Sequence, residues 1–182
     1  MKILIVTAVF SPEPVVSAKL SEDLAHELSK TNTVSVISPK PTRPFGFKLN
    51  EKDINKSYSL INLDSYTCPE SNVYGRFKES YSFGLACSKY IKENRDNIDL
   101  IYMNSWPIFA QYLTVKEANK FGIPIITHIQ DVYPESLSIK IPILGFLFNL
   151  IFKPIDKIIL KKSKKIIAIS EKMKKHLANS RQ

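Results

Sequence analysis

Lys2-Ile3-Leu4-Ile5-Val6-Thr7 and Thr33-Val34-Ser35-Val36-Ile37 are two β-branched apolar runs separated by a single helical stretch. The first run has no polar alternation, the pattern of a central strand covered on both faces. Between the two, Ser17 to Lys30 places Leu20, Leu24, Ala25 and Leu28 on one helical face. Strand, helix, strand in this order is a βαβ unit, and a right-handed crossover makes its strands parallel.

The same alternation continues outward. Tyr58 to Leu63 reads as a third strand, Tyr74 to Asn94 as a helix, and Asp99 to Met103 as a fourth strand. A helix over Ile108 to Phe121 follows, then a fifth strand at Ile123 to Ile126 and a sixth at Lys165 to Ile169. Ser170 is placed to cap a last helix ending near Ala178. Residues 39–57 look irregular, and a loop of that length in a compact domain is functional or mobile. The pattern predicts one α/β domain over 1–182, a Rossmann-like doubly wound parallel sheet of about six or seven strands with helices on both faces.

A chain of 182 residues, 44% hydrophobic and 24% charged, is long enough to build one substantial core. Cys68 and Cys87 show neither a disulfide framework nor metal-ligand spacing, which points to a reducing compartment. The net charge of +9 is unevenly spread. Residues 1–139 hold 15 Lys/Arg and 15 Asp/Glu, whereas residues 140–182 hold 11 Lys/Arg against Asp156 and Glu171 alone. That end of the chain calls for an anionic partner: lipid, nucleic acid or an acidic protein.

Two stretches concentrate chemistry. In Pro124-Ile125-Ile126-Thr127-His128-Ile129-Gln130-Asp131-Val132-Tyr133-Pro134-Glu135-Ser136, an apolar strand gives way to His128, Asp131 and Glu135. Ligands of open α/β sheets bind beyond the carboxyl ends of the strands, so this cluster is a candidate site. It also fits a capped turn beside a hydrogen-bonded core histidine. The second stretch, Ile141 to Lys165, opens with Ile141 to Phe152, whose large apolar side chains cover about 240° of a helix, wider than one packed face needs. Pro154 is expected to interrupt or restart it, and Lys157, Lys161, Lys162, Lys164 and Lys165 follow. Twelve or so apolar residues cannot span a bilayer, which takes about twenty. Apolar surface around Phe148 and Phe152, or Phe146, rimmed by Lys157, Lys161 and Lys162, suits an anionic membrane surface. A core helix with a solvated lysine face, or an interface for another domain, fits the same residues.

Several classes are disfavoured. The first βα turn has no glycine, so the dinucleotide fingerprint is missing, and no P-loop or Gly-x-Ser-x-Gly elbow occurs. Its Pro12-Glu13-Pro14 does not suit a flavodoxin-type phosphate loop. His26, His128 and His176 lack metal-ligand spacing, so no metal is expected. The basic tail has no interleaved aromatics, which argues against nucleic acid.

Lys2 to Thr7 followed by Phe10-Ser11-Pro12-Glu13-Pro14-Val15-Val16-Ser17-Ala18 resembles the opening of bacterial glycosyltransferase family 4 enzymes. His128 with Asp131-Val132-Tyr133-Pro134-Glu135-Ser136 is similar to the Asp-x-Trp-Pro-Glu-Ser signature of the capsular and surface-polysaccharide branch. Ala168 to Met173 resembles the junction closing the family's N-terminal domain. Tyr133 replaces a common tryptophan, and Val15-Val16 replace a common Gly-Gly pair, which weakens any phosphate cradle there.

The resemblance implies the acceptor-side domain of a GT-B enzyme, with the nucleotide-sugar donor bound mainly by a C-terminal domain. That domain's Glu-x7-Glu pair has no counterpart here, so the donor domain is expected to be missing or separate, and this chain alone inactive. The implied reaction is retaining transfer of a sugar to a hydroxyl, on an acceptor expected to be a lipid-linked saccharide, at the cytoplasmic face of the membrane. His128 is expected to hydrogen bond the donor sugar or its phosphate, and Asp131 to orient the loop or bind acceptor hydroxyls. Glu13, Val15, Val16 and Ser17 are expected to line the opposite wall, with Glu135 either on substrate or acting as a structural brace. No other cofactor is implied. The alternative is a non-catalytic, membrane-docking subunit that binds acceptor for a split transferase.

Overall fold

The computed structural model describes residues 1–43, 56–68, 72–104, 107–132, 135 and 142–181, the side chains of 142–144 excepted. The expected Tyr133, Pro134 and Ser136, and most of the irregular 39–57 segment, lie outside the described residues. Six parallel strands form one sheet in the order β3-β2-β1-β4-β5-β6. They are β1 (Lys2–Val6), β2 (Thr33–Pro39), β3 (Ser59–Leu63), β4 (Leu100–Asn104), β5 (Ile125–Ile129) and β6 (Lys165–Ala168). The helices are α1 (Val16–Ser29), α2 (Val73–Asn94), α3 (Ile108–Lys120), α4 (Pro142–Lys162) and α5 (Glu171–Ser180).

The direction of each crossover decides which face its helix covers. From β1 the chain moves outward to β2, which puts α1 on one face, over Ile3, Ile5, Val34 and Val36. From β4 it moves the other way, so α3 and α4 lie on the opposite face with α2. Their shared core contains Leu4, Val6, Ile37, Phe83, Ile101, Met103, Ile125 and Ile159. Gly122 ends the turn after α3 at a φ of 69°, a left-handed conformation that favours glycine, and delivers the chain into β5.

Two expectations about β5 and α4 need correction. β5 starts at Ile125 and carries Thr127 and His128 inside it rather than beyond its end. Its burial alternates: Ile125, Thr127 and Ile129 are buried, while Ile126 and His128 are half-buried. The strand therefore has one helix-covered face and one partly open face. Buried Thr127 is satisfied by Ser163, hydroxyl to hydroxyl at 2.7 Å. The second correction is Pro154, through which α4 runs without a break. A proline at this position leaves the Leu150 carbonyl without its helical donor, and Leu150 is 62% exposed, so water can replace it. On the inner side, Phe152, Asp156 and Ile159 are buried on both sides of the proline and hold the helix in register.

Candidate functional site

The site is built at the carboxyl edge of the sheet, where the chain reverses strand order between β1 and β4. The end of β4 supplies Asn104, a buried residue that the sequence reading did not single out. Its side-chain amide donates to Ser21 Oγ on α1 at 2.9 Å and to Thr7 Oγ1 after β1 at 3.2 Å. Thr7 Oγ1 in turn donates to the Val9 carbonyl, and Ser21 Oγ to that of Ser17. This chain of bonds fixes the β1–α1 loop against β4. The polar Asn104 at the end of an apolar strand was the available signal for it.

On that loop, Glu13 is buried, and its Oε1 accepts the backbone N–H groups of Thr42 (2.8 Å) and Arg43 (2.9 Å). Its Oε2, also buried, has no hydrogen-bond partner among the described residues. Glu13 thus braces the loop after β1 against the loop after β2, and it is not an open wall for substrate. Arg43 and Arg76 both reach Glu79, each at 2.7 Å, which closes the brace onto α2. Val15 and Ser17 are half-buried, and Val16 is exposed in the first turn of α1, which has no side-chain cap. These three remain at the open rim.

Across the edge, His128 pairs in register with Asn104, so both side chains stand on the same face of neighbouring strands. Tyr102, two residues before Asn104, shares that face, and its hydroxyl lies 2.6 Å from His128 Nδ1. Burial lowers the His128 pKa and pushes that of Tyr102 up to about 12, so both groups are neutral at physiological pH. Asp131 follows β5, is exposed, and makes no hydrogen bond or ion pair among the described residues. A neutral imidazole and a free carboxylate at the carboxyl edge can bind hydroxyls and phosphate oxygens. β4 stands between β5 and β1, so buried Asn104 separates His128 from the loop that follows β1.

Glu135 is engaged elsewhere. Arg181, buried just after α5, donates to both Glu135 oxygens at 2.8 and 2.7 Å, and through Nε to Asp156 of α4 at 2.6 Å. Lys153 adds a contact at 3.3 Å. Burial alone would raise the Glu135 pKa, but the Arg181 hydrogen bonds and charge, with a backbone bond and Lys153, outweigh it and hold it at about 2. At Asp156 burial prevails and the pKa is raised. Both oxygens of Glu135 are occupied, so its expected place on substrate gives way to the structural brace.

The aromatic expectations for α4 also change. Phe152 is buried, and Phe148 is half-buried against it, in a cluster with Phe77 and Phe109 from the first turns of α2 and α3. Among the described residues of α4, the exposed apolar side chains are Phe146, Leu147, Leu150 and Ile151, with Ile158 further along. Lys161 and Lys162 are exposed at the other end of the helix, and Lys157 is half-buried. Among the described residues no helix is long and apolar enough to cross a membrane, and no cluster of His, Cys, Asp and Glu could hold a metal.

The profile of Glycosyltransferase Family 4 matches residues 18–181. The chain belongs to glycosyltransferase family 4. A comparison with curated protein sequences finds no match. Among solved structures, the family 4 domain is similar to MurG from Acinetobacter baumannii, with a TM-score of 0.50 at 13% identity. The match covers 92% of this chain and 41% of the MurG chain, so the family 4 domain spans less than half of that protein. A UGT transferase from Siraitia grosvenorii in complex with UDP gives a TM-score of 0.45 at 17% identity, over 70% of this chain and 28% of that one. The six-stranded sheet is the fold expected of a GT-B N-terminal domain.

Proposed function

We propose that this domain forms the acceptor side of a retaining glycosyltransferase that moves a sugar from a nucleotide sugar to a lipid-linked saccharide in bacterial surface or capsular polysaccharide assembly. The observation that carries the reading is the placement of the outward apolar arc of α4. Phe148 and Phe152 pack on the first turns of α2 and α3, so the first half of α4, with Phe146 to Ile151, lies toward the carboxyl edge of the sheet. At the other end of α4, Asn119 of the last turn of α3 donates to the Lys162 carbonyl, which sets the lysines at the opposite edge. Phe146, Leu147, Leu150 and Ile151 can enter the interface of an anionic membrane and hold the domain peripherally on its inner face. A lipid-anchored acceptor then meets His128 and Asp131 without leaving the membrane.

In this reading His128 donates to the sugar or phosphate of the donor and Asp131 accepts from acceptor hydroxyls, while the donor is held mainly by a second domain. Binding measurements on the 182-residue chain test the division of labour. The chain is expected to bind vesicles carrying a lipid-linked saccharide more tightly than the same vesicles without it, and to show no measurable affinity for UDP- or GDP-sugars. Tight nucleotide-sugar binding, or turnover by this chain alone, would overturn the reading.

A further inference from the structure

We infer that Tyr102 is a positioning residue for His128: its phenol fixes the imidazole in the tautomer that carries its proton on Nε2, so the site offers a hydrogen-bond donor rather than an acceptor. The functional weight of the inference rests on the reading of His128 given above, whereas the tautomer is a property of this chain alone.

The geometry begins with register. Asn104 is the register partner of His128, and Tyr102 is the partner of Ile126, so the Tyr102 and His128 side chains are diagonal neighbours on one face of the sheet. Their contact, hydroxyl to Nδ1 at 2.6 Å, is short for an O–H···N bond. Of the two neutral groups the phenol is the better hydrogen-bond donor and the bare imidazole nitrogen the better acceptor. An imidazolium is a stronger acid than a phenol, so the proton stays on oxygen and Tyr102 donates. A neutral imidazole has one N–H, and with Nδ1 accepting it must be on Nε2. No carboxylate forms an ion pair with His128 among the described residues, so nothing there draws a second proton onto the ring. The Nε2–H suits the lone pairs of a sugar hydroxyl or a phosphate oxygen, and a cationic or donor-only group finds no acceptor there. Without Tyr102, the two neutral tautomers compete and part of the population presents a bare nitrogen to the same ligand.

Nitrogen-15 NMR of the labelled chain separates the tautomers, because a protonated and a bare ring nitrogen resonate far apart. In the wild type, His128 Nδ1 is expected to be bare and Nε2 protonated. In Tyr102→Phe, which removes only the hydroxyl, the two signals should move toward each other as the tautomers mix. Protonated Nδ1 in the wild type, or signals unchanged in Tyr102→Phe, would overturn the inference. In the complete transferase, Tyr102→Phe is expected to lower kcat by up to about tenfold with KM nearly unchanged, less than outright removal of the donor. A changed tautomer with unchanged kcat would remove the positioning role. Full turnover by His128→Ala would instead remove the functional reading of His128, and the NMR result would stand.

Discussion

The two halves of the sheet are built differently. β1 and β2 are covered by α1 on one face and by α2 with its neighbours on the other, and their interior residues are almost uniformly buried. β5 alternates between buried and half-buried residues, and β6 has none that is buried. On the face of this second half that no helix covers among the described residues stand Tyr102, Ile126, His128 and Ile167. Where both faces are covered, a polar side chain would cost several kcal/mol unless bonded, roughly 2–7 for an unpaired amide or hydroxyl, and the buried positions are mainly aliphatic, with buried Ser38 bonded to Asn62. Where one face is open, the strand can carry a histidine with a nitrogen to spare. The first half holds the domain together, and the second half is where it can meet a ligand.

The largest test of this division is His128→Ala in the complete transferase. Removing a preorganised donor is expected to lower turnover by about 10²–10³, with a melting temperature close to that of the wild type. A variant that kept its activity and lost several degrees would place His128 with the supporting half. Next come two isoleucines. Ile5→Ala, in the covered half, should cost about 2–5 kcal/mol in urea unfolding. Ile167→Ala, already 38% exposed, should cost about 1 kcal/mol or less. Similar costs at the two positions would show that β6 is covered after all. The smallest effects concern α4. Replacing Phe146 and Leu150 with serine should weaken co-sedimentation with anionic vesicles without unfolding the chain. Phe152→Ser should instead destabilise the fold. Equal binding to neutral and anionic vesicles, or none to either, would assign the outward arc of α4 to a protein partner.

Much of this was legible in the sequence. The βαβ opening, the six strands and the five α-helices of the described residues in order, and the Ser170 cap follow from periodicity and local chemistry, and Ser170 Oγ does accept from Met173 N–H. The site was legible in part. His128 and Asp131 could be picked out because titratable residues interrupt an apolar run. Their surroundings could not, because they depend on which residues the register brings together. Tyr102 meets His128 from 26 positions away, and Asn104 meets Ser21 from 83. Glu135 looked like a site residue for the same reason. Nothing local to it reveals Arg181. On α4 an apolar arc too wide for one face was visible, but which of its phenylalanines point inward is decided by Phe77 and Phe109 on other helices.

The Arg181 junction also bears on the order in which the contacts of this domain can form during synthesis. Glu135 leaves the ribosome 46 residues before its partner, and Asp156 leaves 25 residues before it. Through that interval five of the six strands, and then the sixth, can assemble on their own hydrophobic contacts, since domains fold as their segments emerge. Over the same interval two acidic side chains await the one guanidinium that binds them both. The loop carrying Asp131 is therefore fastened only after the framework beneath it has formed, by a residue that belongs to neither strand nor helix.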